Sequence, residues 1–168
     1  MTNGTRSLEL SFHHEETVIL PADPATVFAF ADDHRNLAGH MKKNSIMMAG
    51  GKFTTDVDDA HGKALGSHIR MRGHVLGIRL EVDEVVTERD PPTHKAWATV
   101  GTPKLIVIGH YKMAFDIEPA TEGSVFRVSI HYELPERNKW IGTRLGKGYA
   151  RWCVRQVTGD VQRHFTAS

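Results

Sequence analysis

The sequence predicts an α+β fold: a seven-stranded antiparallel sheet, two short helices after the first strand, and one long C-terminal helix across the sheet's apolar face. Three observations carry this. Residues 138–165 are long and amphipathic enough for a dominant helix. Most of what precedes them reads as strand segments separated by short gaps of turn residues, which favours antiparallel hairpins. A sheet with one apolar face needs a cover, and the terminal helix is the element long enough to supply it.

The elements follow in order. Residues 9–20 end in TVIL and read as a strand closed by Pro21. Asp23 is an N-cap and Pro24 the first helical residue of a short helix whose apolar content is Val27, Phe28 and Phe30. Asp33 caps a second short helix running to about Met41. Strands are then expected over 46–57, 66–77, 78–89, 93–101, 104–118 and 124–134. Between them stand Asp58, Asp59 and Gly62, then Gly77, Asp90-Pro91-Pro92, Gly101-Thr102-Pro103, and Pro119 to Gly123. Pro135 ends the last strand and Asn138 is the expected cap of the long helix, which at ~1.5 Å per residue is roughly 42 Å long.

With 40% hydrophobic residues, the 168-residue chain can bury one sizeable core without staples. Residues 1–8 are expected to be a flexible N-terminus and 9–168 a single domain. The net charge of +1 hides an asymmetry, since residues 137–168 hold seven Lys and Arg against one acid. The single cysteine, Cys153, excludes an internal disulfide framework, and no apolar run approaches a membrane span. Without a secretory apolar core in the first residues, a cytoplasmic protein is expected.

Alternation assigns faces. In 104–118, Val107, Gly109, Tyr111, Met113, Phe115 and Ile117 face inward, opposite Ile106, Ile108, His110 and Lys112. In 124–134, Phe126, Val128, Ile130, Tyr132 and Leu134 face inward. Ile69, Met71 and Val75 oppose His68, Arg70, Arg72 and His74. On the helix, Gly142, Gly146, Tyr149, Ala150, Cys153, Val157 and Val161 share the inner face, while Arg144, Lys147, Arg151 and Arg155 gather opposite.

This order of elements resembles the START-like or SRPBCC superfamily, specifically its polyketide cyclase/dehydrase and lipid-transport branch. The residues carrying the resemblance are Val18 to Pro21 followed by Ala25 to Phe28, Asp32-Asp33, Gly66, Gly77, Pro91-Pro92 and Gly123. It implies a helix-grip fold whose curved sheet and long helix enclose a cavity for a lipid, polyketide or similar hydrophobic molecule, to be transported, stored or sensed. His40 stands where many relatives carry Trp, so the resemblance names no ligand.

The candidate ligand contacts are Met71, Val82 and Trp97 from the middle strands and Tyr111, Met113, Phe115, Val128, Ile130 and Tyr132 from the last two. The helix adds Gly142, Gly146, Tyr149 and Cys153, the two glycines leaving room under its first turns. Buried phenols need hydrogen-bond partners, which a ligand can supply. The alternative is a cyclase or dehydratase using Tyr111, Tyr132 or Glu84 to handle protons. It ranks lower because no inward Arg, Lys or His is legible to pair with an acid. Parity from Leu80 and Val82 carries Glu84 inward, but its acidic neighbours and the Val85-Val86 doublet weigh towards a bulge near Asp83 that turns it out.

Four strand histidines take outward parity, and no HExxH or CxxC spacing occurs, so no metal is expected. No nucleotide or phosphate loop is legible, and no cofactor is expected. Nucleic-acid binding is disfavoured because the rest of the chain is acidic and aromatics do not interleave with the basic residues. The stripe of Arg144, Lys147, Arg151 and Arg155 is a solvated face, or a weak contact for anionic membranes. Oligomeric state is open.

Overall fold

In the computed structural model, which describes residues 10–37 and 52–167, strand β1 (Phe12–Leu20) ends at Pro21 and Asp23 caps helix α1 (Pro24–Asp32). The Asp23 carboxylate accepts from the Thr26 amide at 3.1 Å and the Thr26 hydroxyl at 2.6 Å. Helix α2 (His34–Leu37) is capped in the same way, the Asp33 carboxylate accepting from the Arg35 amide at 3.1 Å. The expected N-terminal extension and His40 lie outside the described residues, as does the first half of the strand expected over 46–57.

Six strands follow: β2 (Lys52–Val57), β3 (His68–Val75), β4 (Ile78–Asp90), β5 (His94–Lys104), β6 (Tyr111–Ala120) and β7 (Gly123–Tyr132). They pair antiparallel with β1 in the order β1-β7-β6-β5-β4-β3-β2. Hairpin connections explain the run from β7 to β2, since short gaps join only antiparallel neighbours. At the β3–β4 hairpin, Leu76 and Gly77 both take positive φ (50° and 77°), the two-residue turn whose twist matches the flanking strands.

Helix α3 (Lys139–Thr166) closes the concave face, packing mainly on β1 and β7. Its buried side is Gly142, Gly146, Ala150, Val154, Val157, Thr158 and Val161. Asn138 marks its start but not as a side-chain cap. It holds the left-handed region at φ 59° and contributes only its carbonyl, which accepts from the Ile141 amide at 2.9 Å.

Two expectations are corrected. The segment 104–118 is not one strand: β5 runs to Lys104, β6 starts at Tyr111, and residues 105–110 leave the ladder. Leu105, Ile106, Val107 and Ile108 are consecutive apolar residues that alternation cannot bury together, and all four turn towards the interior instead, including Ile106 and Ile108, expected outside. The second correction concerns Glu84, which is 1% exposed and faces inward. The β4–β5 register does shift near Asp83, but the extra residues lie in β5, where Val100 and Lys104 are four apart while Asp83 and Glu81 are two apart. The alternation Leu80, Val82, Glu84, Val86 therefore stays buried.

The interior has a packed end and a hollow end. At the packed end Phe28 of α1 meets Phe115 edge-on at 5.6 Å between ring centroids, and Phe115 meets Phe126 at 5.5 Å. An ion cluster ties α1 to the sheet here: Arg89 donates twice to the Asp32 carboxylate, at 3.1 and 2.8 Å. Fully buried Lys95 donates to the Asp32 carbonyl at 2.7 Å and lies 3.1 Å from its carboxylate. Burial opposes the Asp32 charge, yet the Arg89 and Lys95 contacts outweigh it and hold the carboxyl below its usual range.

Candidate functional site: a polar-ended cavity

Beyond Trp97 the core opens into a cavity of about 130 Å³. It lies between the inner faces of β3, β4 and β6 and the middle of α3, because α3 packs on β1 and β7 and α1 fills the opposite end. Most of its wall is apolar, with Met71, Leu80, Val82, Met113, Ile130 and Val157 supplying much of it. The polar side chains are His34, Glu84, Tyr111, Tyr149 and Cys153.

These five fall into two groups. The Tyr111 hydroxyl donates a short hydrogen bond to Glu84 Oε1. Burial, reinforced by the Glu84 charge and this bond, holds the Tyr111 phenol well above its usual range, so it keeps its proton and donates. Glu84 Oε2 accepts no hydrogen bond; His34 Nε2 stands 3.5 Å away, too far for a good one. His34 is 4% exposed, lies edge-on to Trp97 at 4.9 Å, and leaves Nδ1 without a partner. A buried oxygen or nitrogen left so costs about 1–3 kcal/mol.

On the helix side, Tyr149 and Cys153 stand about one turn apart on α3, and both border the cavity. Burial pushes the Cys153 thiol up to about 12, the Tyr149 contact pulling it back and the Glu84 charge adding to the rise. Burial and then Cys153 likewise hold Tyr149 well above its usual range. Both residues keep some accessible surface, which fits walls that border a space rather than packed atoms.

Of the contacts expected from the sequence, Met71, Val82 and Trp97 line the cavity, with Tyr111, Met113, Ile130, Tyr149 and Cys153. Among the described residues the wall leaves out Phe115, Val128, Tyr132, Gly142 and Gly146. Phe115 and Val128 are fully buried, Phe115 within the packed aromatic end. Tyr132 stacks on Phe12 at 5.3 Å. Gly142 is a close approach, not a roof: a Cβ there would lie 2.5 Å from Pro135 Cδ and 3.0 Å from the Val107 carbonyl. At Gly146 a Cβ would touch Tyr132 at 3.4 Å.

Two inward basic side chains correct the expectation that none pairs with an acid. Lys95 shares the parity of Trp97 and meets Asp32, and His34 shares a helix face with buried Leu37 at i, i+3 and meets Glu84. Those spacings were the available signals. The strand histidines His68, His74 and His131 stand off the buried face. Among the described residues no group of three or more His, Cys, Asp and Glu could hold a metal ion. The basic residues Arg144, Lys147, Arg151 and Arg155 are exposed, and Arg155 Nε lies 3.6 Å from Glu16.

Outside the cavity, a groove of about 630 Å³ runs between residues 102–110 and 133–141. Leu80, Leu105, Ile106 and Ile108 belong to both spaces and stand between them.

The model of the family described as polyketide cyclase / dehydrase and lipid transport matches residues 11–166. No curated protein matches. Among solved structures, TTHA0849 from Thermus thermophilus is similar with a TM-score of 0.67 at 15% identity, covering 93% of this chain and 98% of its own. Truncated norcoclaurine synthase from Thalictrum flavum gives 0.62 at 14%, covering 94% and 93%. Ginseng major latex-like protein 151 from Panax ginseng gives 0.56 at 12%, covering 92% and 97%. At these identities the structures speak to the fold alone, and they have the curved sheet and long terminal helix described above. With nearly its whole length matched, the chain belongs to the polyketide cyclase/dehydrase and lipid transport family.

Proposed function

We propose that the chain binds a small apolar or amphipathic molecule in the internal cavity, for transport, storage or sensing. The observation that carries this is the hollow end of the core. Protein interiors are close-packed. At ~24 cal/mol per Å³, a void of about 130 Å³ costs about 3 kcal/mol, which an occupant offsets. Mass spectrometry of the native protein from its own host tests this: the expected result is one small organic molecule carried per chain. No such mass, together with no saturable uptake of small aromatic compounds, contradicts it.

Proton-transfer chemistry is the second reading, favoured by Glu84, Tyr111 and His34 meeting in one cavity. Incubating the protein with the molecule so identified, and weighing what is released, separates the two, since a substrate is released altered and a carried ligand intact. The exposure of Arg144, Lys147 and Arg151 supports a further proposal, weak contact with anionic head groups. Vesicle sedimentation tests it: binding is expected to fade towards 1 M salt, and salt-insensitive binding contradicts it.

A further inference from the structure

The cavity's unsatisfied atoms sit together at one pole. The Tyr111 hydroxyl serves Glu84 Oε1. What remains is Glu84 Oε2 and His34 Nδ1, on residues 1% and 4% exposed that both line the cavity. Packing alone gives no reason for a carboxylate here, since its neighbours on the same face of β4 are Val82 and Val86. A carboxylate oxygen only accepts, so its complement is a donor.

The rest of the space constrains what carries that donor. Cavities of about 150 Å³ lined by Leu, Ile and Phe hold benzene, and about 130 Å³ is in that range. An ammonium would pair with the Glu84 charge but must give up its own hydration among mostly apolar walls, a cost that can exceed the Coulombic gain. A hydroxyl brings a donor without one, and its own oxygen can accept from the neighbouring imidazole.

We propose that the cavity takes a single-ring-sized molecule bearing a hydroxyl, whose O–H donates to Glu84 Oε2 while its apolar body fills the space between Met71, Val82, Met113 and Ile130. This rests on the reading of the cavity as a binding site and names the class of its ligand. Glu84 is then the head-group anchor, Tyr111 fixes its carboxylate from the other oxygen, and His34 borders the same pole.

Calorimetric titration with p-cresol and p-xylene tests it, because the pair differ only by hydroxyl for methyl. Without a polar partner p-xylene binds better, since a hydroxyl leaving water unpaired is penalised. The wild-type protein is expected to bind p-cresol at least tenfold more tightly than p-xylene, and Glu84→Leu to reverse that order. Equal binding, or preference for p-xylene, in the wild type overturns the hydroxyl anchor while leaving the binding cavity standing. Binding of neither compound overturns the cavity reading as well. A p-cresol preference that survives in Glu84→Leu overturns Glu84 as its anchor. The wild-type ratio decides even where the variant fails to fold.

Discussion

Cys153 shows how one residue can report on its surroundings. The thiolate is the reactive form, and burial beside Tyr149 and Glu84 pushes this thiol up to about 12. A group held in its neutral form stays protonated through the neutral range, so at pH 8 its thiolate fraction is roughly a thousandfold below that of an unfolded cysteine near pKa ~8.5. Alkylation by iodoacetamide, followed by mass spectrometry, is therefore expected to be at least that much slower in the folded chain than in denaturant. Equal rates would mean that the Cys153 thiol is not held in its neutral form as described. The residue's inner position was legible from helical spacing, as were Tyr111 and Met113 from strand alternation. His34 had only its i, i+3 spacing from Leu37 to mark it, a single pair in a helix too short to confirm a face by repetition. The inward position of Glu84 was obscured because a sequence does not reveal which strand of a pair carries the extra residues.

At the scale of elements, glycine lets the first turns of α3 lie against Pro135 and the 105–110 segment. Gly142 meets Pro135 and the Val107 carbonyl, whereas a Cβ at Gly148 meets nothing within 4 Å. Gly142→Ala is expected to lose about 1–3 kcal/mol by overpacking. Gly148→Ala is expected to gain ~1 kcal/mol from helix propensity. Urea midpoints of the two variants check the contrast, and equal effects would contradict the close approach. The glycines on the inner face were legible, but not what they meet: spacing places a residue on a face and says nothing of the distance to the next layer. The same limit hid the break at residues 105–110. Leu105 to Ile108 read as a continuation of alternating β6, yet four successive apolar side chains do not fit a strand with one polar face. That segment forms part of the wall between cavity and outer groove.

At the scale of the molecule, the run of antiparallel hairpins, the long helix and the single core follow from alternation, turn chemistry and the need to cover one face. The division of that core into packed and hollow ends does not. It arises because α1 sits over β6 and β7 while α3 packs on β1 and β7, leaving the middle strands without a direct cover. Such placement depends on side-chain fit between distant elements, including the ties of Arg89 and Lys95 to Asp32. The central claim is that this hollow admits a small molecule. A crystal structure determined under xenon pressure tests it most directly, since xenon enters apolar cavities of this size. The expected result is a xenon atom bounded by Met71, Val82, Met113 and Ile130. A core closed by repacked side chains, with no xenon inside it, would contradict the account.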